Sequence, residues 1–222
     1  MALFRIYPEK DAFIWSEPTV GGLYGNAGKD EVLEIGGYPD ADLTGRTNRA
    51  MIQFRQADIT SSINEKVTGG FSASLNLSLA SATEIPDTFT ITAFPISSSW
   101  TNGVGKRVDS PANVSGVSWK YKDDGTTQWT THGCDYLSSS AASQSFDLTS
   151  DYDIDINVTE AVEAMYSGSL SNNGFLLKIN DAYENYTTAS VNLKYFGSDT
   201  HTIFPPYLEL KWDDTTYSST LT

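Results

Sequence analysis

Apolar and polar residues alternate along most of this chain, and the alternation predicts a succession of strands. The clearest case spans residues 71–79, where Phe71, Ala73, Leu75, Leu77 and Leu79 are separated by Ser and Asn. That two-residue period is the signature of a strand with one buried and one wet face. Further strands are predicted at 3–7, 12–15, 32–35, 50–54, 88–94, 117–121, 145–148, 153–157, 175–179, 191–196 and 207–212. Between them stand Gly21-Gly22, Gly36-Gly37, Gly69-Gly70, Asp124-Gly125 and Asn173-Gly174, pairs that favour tight reversal. At 175–179 the run Phe-Leu-Leu-Lys-Ile does not alternate, which predicts a strand buried on both faces.

One interruption has helical spacing. Val162, Met165 and Tyr166 fall on one helical face, Asn157 and Glu160 have the spacing of a capping box, and Gly168 supplies a stop. The pattern predicts an all-β chain, an antiparallel, jelly-roll-like β-sandwich with one short helix near 158–167. Residues 1–212 are expected to form a single domain. Residues 213–222 lose the alternation and read as a polar C-terminal arm, with Tyr217 and Leu221 as its apolar anchors. The longest loop-like region, 97–143, is expected to cover one end or edge of the sandwich and to carry specialised contacts.

Composition agrees with an ordered chain. Hydrophobic residues make up 39% of the 222 and charged residues 19%, with five Trp and twelve Tyr, far from the profile of disorder. The formal charge of -14 repels a phosphate backbone, so nucleic acid is excluded as a general partner. Cys134 is the single cysteine, so no internal disulfide forms and packing must hold the fold. The first residues lack a secretory pattern, and no apolar run approaches the roughly 18 residues of a membrane span. Synthesis in a cytoplasm, without export or membrane insertion, is expected.

Signals for chemistry are sparse. A serine triad needs a base, but only His132 and His201 are present and no Gly-x-Ser-x-Gly elbow occurs. His132-Gly133-Cys134 offers two metal-ligand types without the further pair that a structural zinc site requires. Asp151, Asp153 and Asp155 resemble the start of a calcium loop, but Ile156 stands where the sharp turn needs Gly and Val162 where the bidentate Glu belongs. A cation near Asp40 and Asp42 is a further candidate. Gly103-Val104-Gly105-Lys106 lacks the spacing of a phosphate loop. No catalytic residue, cofactor or metal ligand is therefore assigned. Aromatic residues remain, with Trp100, Trp119, Tyr121 and Trp129 inside the long loop region and Tyr217 in the arm. They are candidate contacts for a glycan, through stacking on sugar rings, or for a protein interface.

Several segments, taken in order, resemble the DNRLRE-type domain, a β-sandwich family that includes carbohydrate-binding modules. They are Asp11-Ala-Phe-Ile14, Tyr24-Gly25-Asn26-Ala27-Gly28, Leu33-Glu-Ile-Gly36, Arg49-Ala-Met-Ile-Gln-Phe54, Trp100, Asp155-Ile-Asn-Val-Thr159, Asn173-Gly174 with Phe175-Leu-Leu-Lys178, and Tyr195-Phe196-Gly197-Ser198 before Pro206-Tyr-Leu-Glu-Leu210. The region 101–143 departs from the pattern as an insertion. Leu193-Lys-Tyr-Phe196, Asp199-Thr-His-Thr202 and Pro205-Pro-Tyr-Leu-Glu-Leu-Lys-Trp212 are similar to structural proteins of tailed bacteriophages. The resemblance implies scaffolding or binding rather than turnover. The expectation is a virion component contacting other virion proteins or copies of itself. A polysaccharide-binding module, with a cell-surface polysaccharide as partner, is the alternative.

Overall fold

The computed structural model describes residues 1–17, 24–38, 46–184 and 191–215. Its strands are β1 (Ala2–Ile6), β2 (Pro8–Trp15), β3 (Val32–Tyr38), β4 (Arg46–Phe54), β5 (Phe71–Leu77), β6 (Leu79–Thr83), β7 (Thr88–Pro95), β8 (Ala142–Asp147), β9 (Ile154–Asn157), β10 (Phe175–Ile179), β11 (Val191–Phe196) and β12 (Tyr207–Trp212). Helices α1 (Gln56–Lys66), α2 (Thr159–Ser167) and α3 (Asp181–Glu184) interrupt them. The strands form an antiparallel sandwich: one sheet in the order β1-β12-β5-β9, facing a larger one in the order β6-β11-β3-β4-β10-β7-β8, with β2 also paired to β4.

Two strand pairs pass from sheet to sheet. β1 leads into β2 across Tyr7, and β5 leads into β6 across Ser78, so that each chain segment serves both layers. The alternating run at 71–79 is thus broken at Ser78 rather than continuous. On the far side the layers are stitched by Gln144 of β8. Its Nε2 donates to the Asp153 carbonyl (3.1 Å), and its Oε1 accepts from the Asp155 amide (2.7 Å).

The main core lies between the sheets and includes Leu33, Ile35, Ala50, Ile52, Leu75, Ile91, Phe175, Leu177, Leu193 and Leu210. A second cluster, Ala12, Ile14, Met51, Ile96, Trp100, Val117, Trp129, Cys134 and Leu176, is packed separately. Met51 and Leu176 alternate with the core residues Ala50, Ile52, Phe175 and Leu177 and therefore point to the outer face of the larger sheet. This two-sided burial explains the unbroken apolar run of β10, all five residues of which are buried.

The helix expected near 158–167 is α2. It buries Ala161, Val162 and Met165, and ends at Gly168 in the left-handed conformation, φ 78°. Its start differs from the expected capping box. Asn157 Oδ1 accepts from the Thr159 amide (3.0 Å) and hydroxyl (2.7 Å), while Glu160 reaches away toward Ser140. Tyr166 is on the exposed side and donates to Asn64 Oδ1 (2.6 Å).

The expectation of a single helix is corrected by α1, eleven residues long. It buries Ile59 and Ile63, one turn apart, against the core end. With only these two large apolar side chains among Ser, Thr and Asn, its periodicity is nearly silent in the sequence. The strand expected at 117–121 is not formed either. The segment is irregular, with one bridge from Tyr121 to Gln128, because it belongs to the layer covering the larger sheet. Among the described residues no helix is long and apolar enough to cross a membrane.

Candidate functional site

The excursion between β7 and β8 forms a third layer, and its attachment rests on a few buried polar groups. Asn26 is one anchor. Its Nδ2 donates to the carbonyls of Asn102 (2.7 Å) and Val117 (2.8 Å), and its Oδ1 accepts from the amides of Gly105 (2.9 Å) and Gly28 (3.1 Å). The second is ionic. Arg49 of β4 forms a two-pronged pair with Glu184 of α3 (2.6 and 2.8 Å) and donates to the Gly133 carbonyl (2.7 Å). Lys178 of β10 joins Glu184 at 3.1 Å and Asp181 at 2.8 Å. Burial opposes the Lys178 charge, but the bond to Asp181 and the attraction of Glu184 outweigh it and raise its pKa. Gly133 is obligatory: its φ is 90°, and a Cβ would lie 2.6 Å from Arg49 Nη1.

The aromatic candidates mostly serve this layer. Trp100 and Trp129 are 4% and 3% exposed, so neither presents a ring face to a sugar. Trp100 Nε1 donates to the Asn173 carbonyl (2.9 Å), and Trp129 Nε1 to that of Ser118 (3.0 Å). Lys10 lies over the Trp100 ring at 4.2 Å and also donates to the Trp100 carbonyl. Trp119 and Tyr121 are half-buried, the first under Arg49 at 4.8 Å and the second near Lys120 at 5.3 Å. Tyr217 lies outside the described residues, as do Asp40 and Asp42.

A cavity of about 240 Å³ opens in this layer, lined by Ser98, Trp100, Thr101, Lys122, Asp123 and Thr127 among others. Asp123 Oδ1 accepts from the amides of Thr127 (2.8 Å) and Thr126 (3.0 Å). Hydrogen bonds from Thr127 and then Thr126 hold its carboxyl at about 2. A lowered folded pKa contributes stability above the unfolded value of 3.8 that is lost as pH falls through the folded value. The loop 120–129 is therefore expected to loosen between pH 3.8 and about 2. Trp129 fluorescence against pH checks this, with Asp123→Asn as the reference that lacks the transition.

The two histidines sit apart, His132 exposed beside Gly133 and His201 exposed, 3.8 Å from Glu31. The Cys134 thiol is buried, and desolvation pushes its pKa up. No group of three or more potential metal ligands occurs among the described residues.

The surface that sequence reasoning missed is a set of loop tips at one end. Val104, Val108, Ile203 and Phe204 are 64%, 83%, 87% and 49% exposed. Their loops converge on Glu31, which lies 3.8 Å from both Lys106 and His201, and Lys29 pairs with Asp199 at 3.1 Å. Phe204 stacks on Phe196 at 5.9 Å. The sequence signal was an apolar pair, Ile203-Phe204, placed in a turn before Pro205-Pro206. Compared with known proteins, the sequence matches no family model and no curated protein.

Proposed function

We propose that this chain is a non-enzymatic structural component of a virion, decorating or attaching within a head, collar, tail or fibre. In this reading it is built on the DNRLRE-type sandwich that its sequence resembles and acts through contacts with other virion proteins or copies of itself. The observation that carries the proposal is the group of exposed apolar tips around Glu31. Val104, Val108, Ile203 and Phe204 stand in water on loops whose Lys106 and His201 both lie 3.8 Å from Glu31. Large exposed apolar groups rimmed by polar residues mark contact sites. The polysaccharide-binding alternative has less support, since two of its four described rings are covered.

Mass spectrometry of intact particles tests the proposal, with this chain expected among their proteins. In a complementation assay Val108→Asp with Ile203→Asp is expected to leave the fold intact and lower incorporation by about tenfold or more, the loss of roughly 1.4 kcal/mol of contact energy. Protein that never co-sediments with particles would sink the assignment.

A further inference from the structure

Charge is distributed unevenly over this sandwich. Between residues 123 and 177 the chain carries nine Asp and Glu and not one Lys or Arg. The fold gathers Asp147, Asp151, Asp153, Asp155, Glu160 and Glu163 along β8, β9, the turn between them and α2. All six are exposed, and none forms an ion pair among the described residues. Three buried acids elsewhere are matched by cations, Glu34 by Arg107 and Lys194, Glu184 by Arg49 and Lys178, and Glu209 by Arg5 and Lys211, while buried Asp11 is held by the Ser198 amide and hydroxyl.

A groove of about 350 Å³ adjoins this acidic side. Small apolar residues, Ala141 and Ala142 at the start of β8 with Val158 and Ala161 at the start of α2, line it together with the polar Ser140, Asn157 and Thr159, and Glu160 and Glu163 stand among them. β8 is the last strand of its sheet, and the Gln144 side chain is what spans from it to β9. Gln144 occupies the middle of this terminal strand, so the stretch open to a second backbone is its small-residue start at Ala141 and Ala142, beside the groove, where an extended peptide can add as at other sheet edges.

We propose that this groove binds an extended, lysine- or arginine-bearing segment of a partner protein. The inference rests on the reading of the chain as a protein-contact component and names the chemistry of one contact. Small apolar walls accept the aliphatic stems of Lys or Arg, while carboxylates beside them receive the cationic heads. Glu160 and Glu163 line the groove, and their field, reaching roughly a Debye length of about 8 Å, steers a cation toward it, with the other exposed acids of β8 and β9 adding at longer range. A second copy of the chain is a poor occupant, since it brings a charge of -14 to the same side.

Fluorescence anisotropy with a labelled peptide of alternating lysine and serine tests the proposal on the full chain, with a glutamate–serine peptide as control. Binding of the cationic peptide, weakening steeply with salt, is expected. Glu160→Gln with Glu163→Gln should weaken it roughly tenfold, since exposed charge pairs contribute modestly each. Ala141→Trp fills the groove without changing charge and should weaken it comparably, whereas Glu9→Gln with Glu65→Gln should leave it unchanged. No binding at low salt overturns the proposal. So does binding that ignores both groove variants, which signifies diffuse attraction of a polycation. The peptide assay needs no particle, so its failure leaves the virion reading to be judged by particle composition alone.

Discussion

Glu184→Ala is expected to destabilise the protein by about 3–5 kcal/mol, because it strands two buried cations at once. The side chains of Glu184, Lys178 and Arg49 are 3%, 8% and 12% exposed, so water cannot replace the lost carboxylate. Arg49 would keep the Gly133 carbonyl and the Trp119 ring, and Lys178 would keep Asp181, itself 81% exposed, and the Tyr136 ring at 5.8 Å. Removing one partner from a buried pair costs far more than the pair itself contributes. The triple replacement Arg49→Met, Lys178→Leu and Glu184→Leu is accordingly expected to lie within about 1.5 kcal/mol of the parent, near what volume-conserving apolar swaps cost. Denaturant unfolding of both variants measures the contrast, and a single variant no less stable than the triple one would refute the account. The network also predicts alkaline sensitivity. The folded pKa of Lys178 is raised, so its stabilisation is complete below the ordinary lysine value of 10.5 and is lost as pH climbs through the folded value.

Asn26→Ala is expected to cost about 3–4 kcal/mol and to release the covering layer. Four hydrogen bonds vanish together, leaving the carbonyls of Asn102 and Val117 and the amides of Gly28 and Gly105 without this partner. Asn26 is 1% exposed, and each buried group left unsatisfied costs roughly 1–3 kcal/mol, with partial relaxation keeping the total below the sum. No other side chain has both two donors and a two-lone-pair acceptor at this length, so Asn26→Asp and Asn26→Leu should fail as well. Hydrogen exchange localises the effect: amides of 101–117 should lose protection while those of β10 and β11 keep theirs. Uniform loss of protection, or none, would contradict the anchor role.

Both predictions concern the attachment of one layer, and that layer separates the candidate functions. Trp100 and Trp129 are consumed in fastening it, and the exposed tips Val104 and Val108 are presented by it. Under the proposed virion role, a variant that releases the layer without unfolding the sheets should also lose incorporation into particles.

The strands were legible because a sandwich imposes a two-residue period on every element with one wet face. β5, β7 and β11 show it in alternating burial, and β10 shows the unbroken apolar run of an element covered on both sides. The helix α2 was legible from Val162, Met165 and Gly168. The helix α1 was not, since Ile59 and Ile63 alone carry its buried face. Trp100, Trp119, Tyr121 and Trp129 stand out in the sequence as a concentration of aromatics, but a tryptophan that stacks on a ligand and one that seals a layer have the same local sequence.

By itself the sequence determined the all-β class, most strand positions, α2, and the excess of acid, because these depend on spacing and count along the chain. Only the tertiary structure decided which side chains face water. It set the exposed carboxylates beside the groove of α2, matched Glu184 to Arg49 across 135 residues and to nearby Lys178, and turned Trp100 and Trp129 inward. Those outcomes follow from which strands become neighbours, and neighbourhood in a sheet is a long-range property that local alternation does not encode.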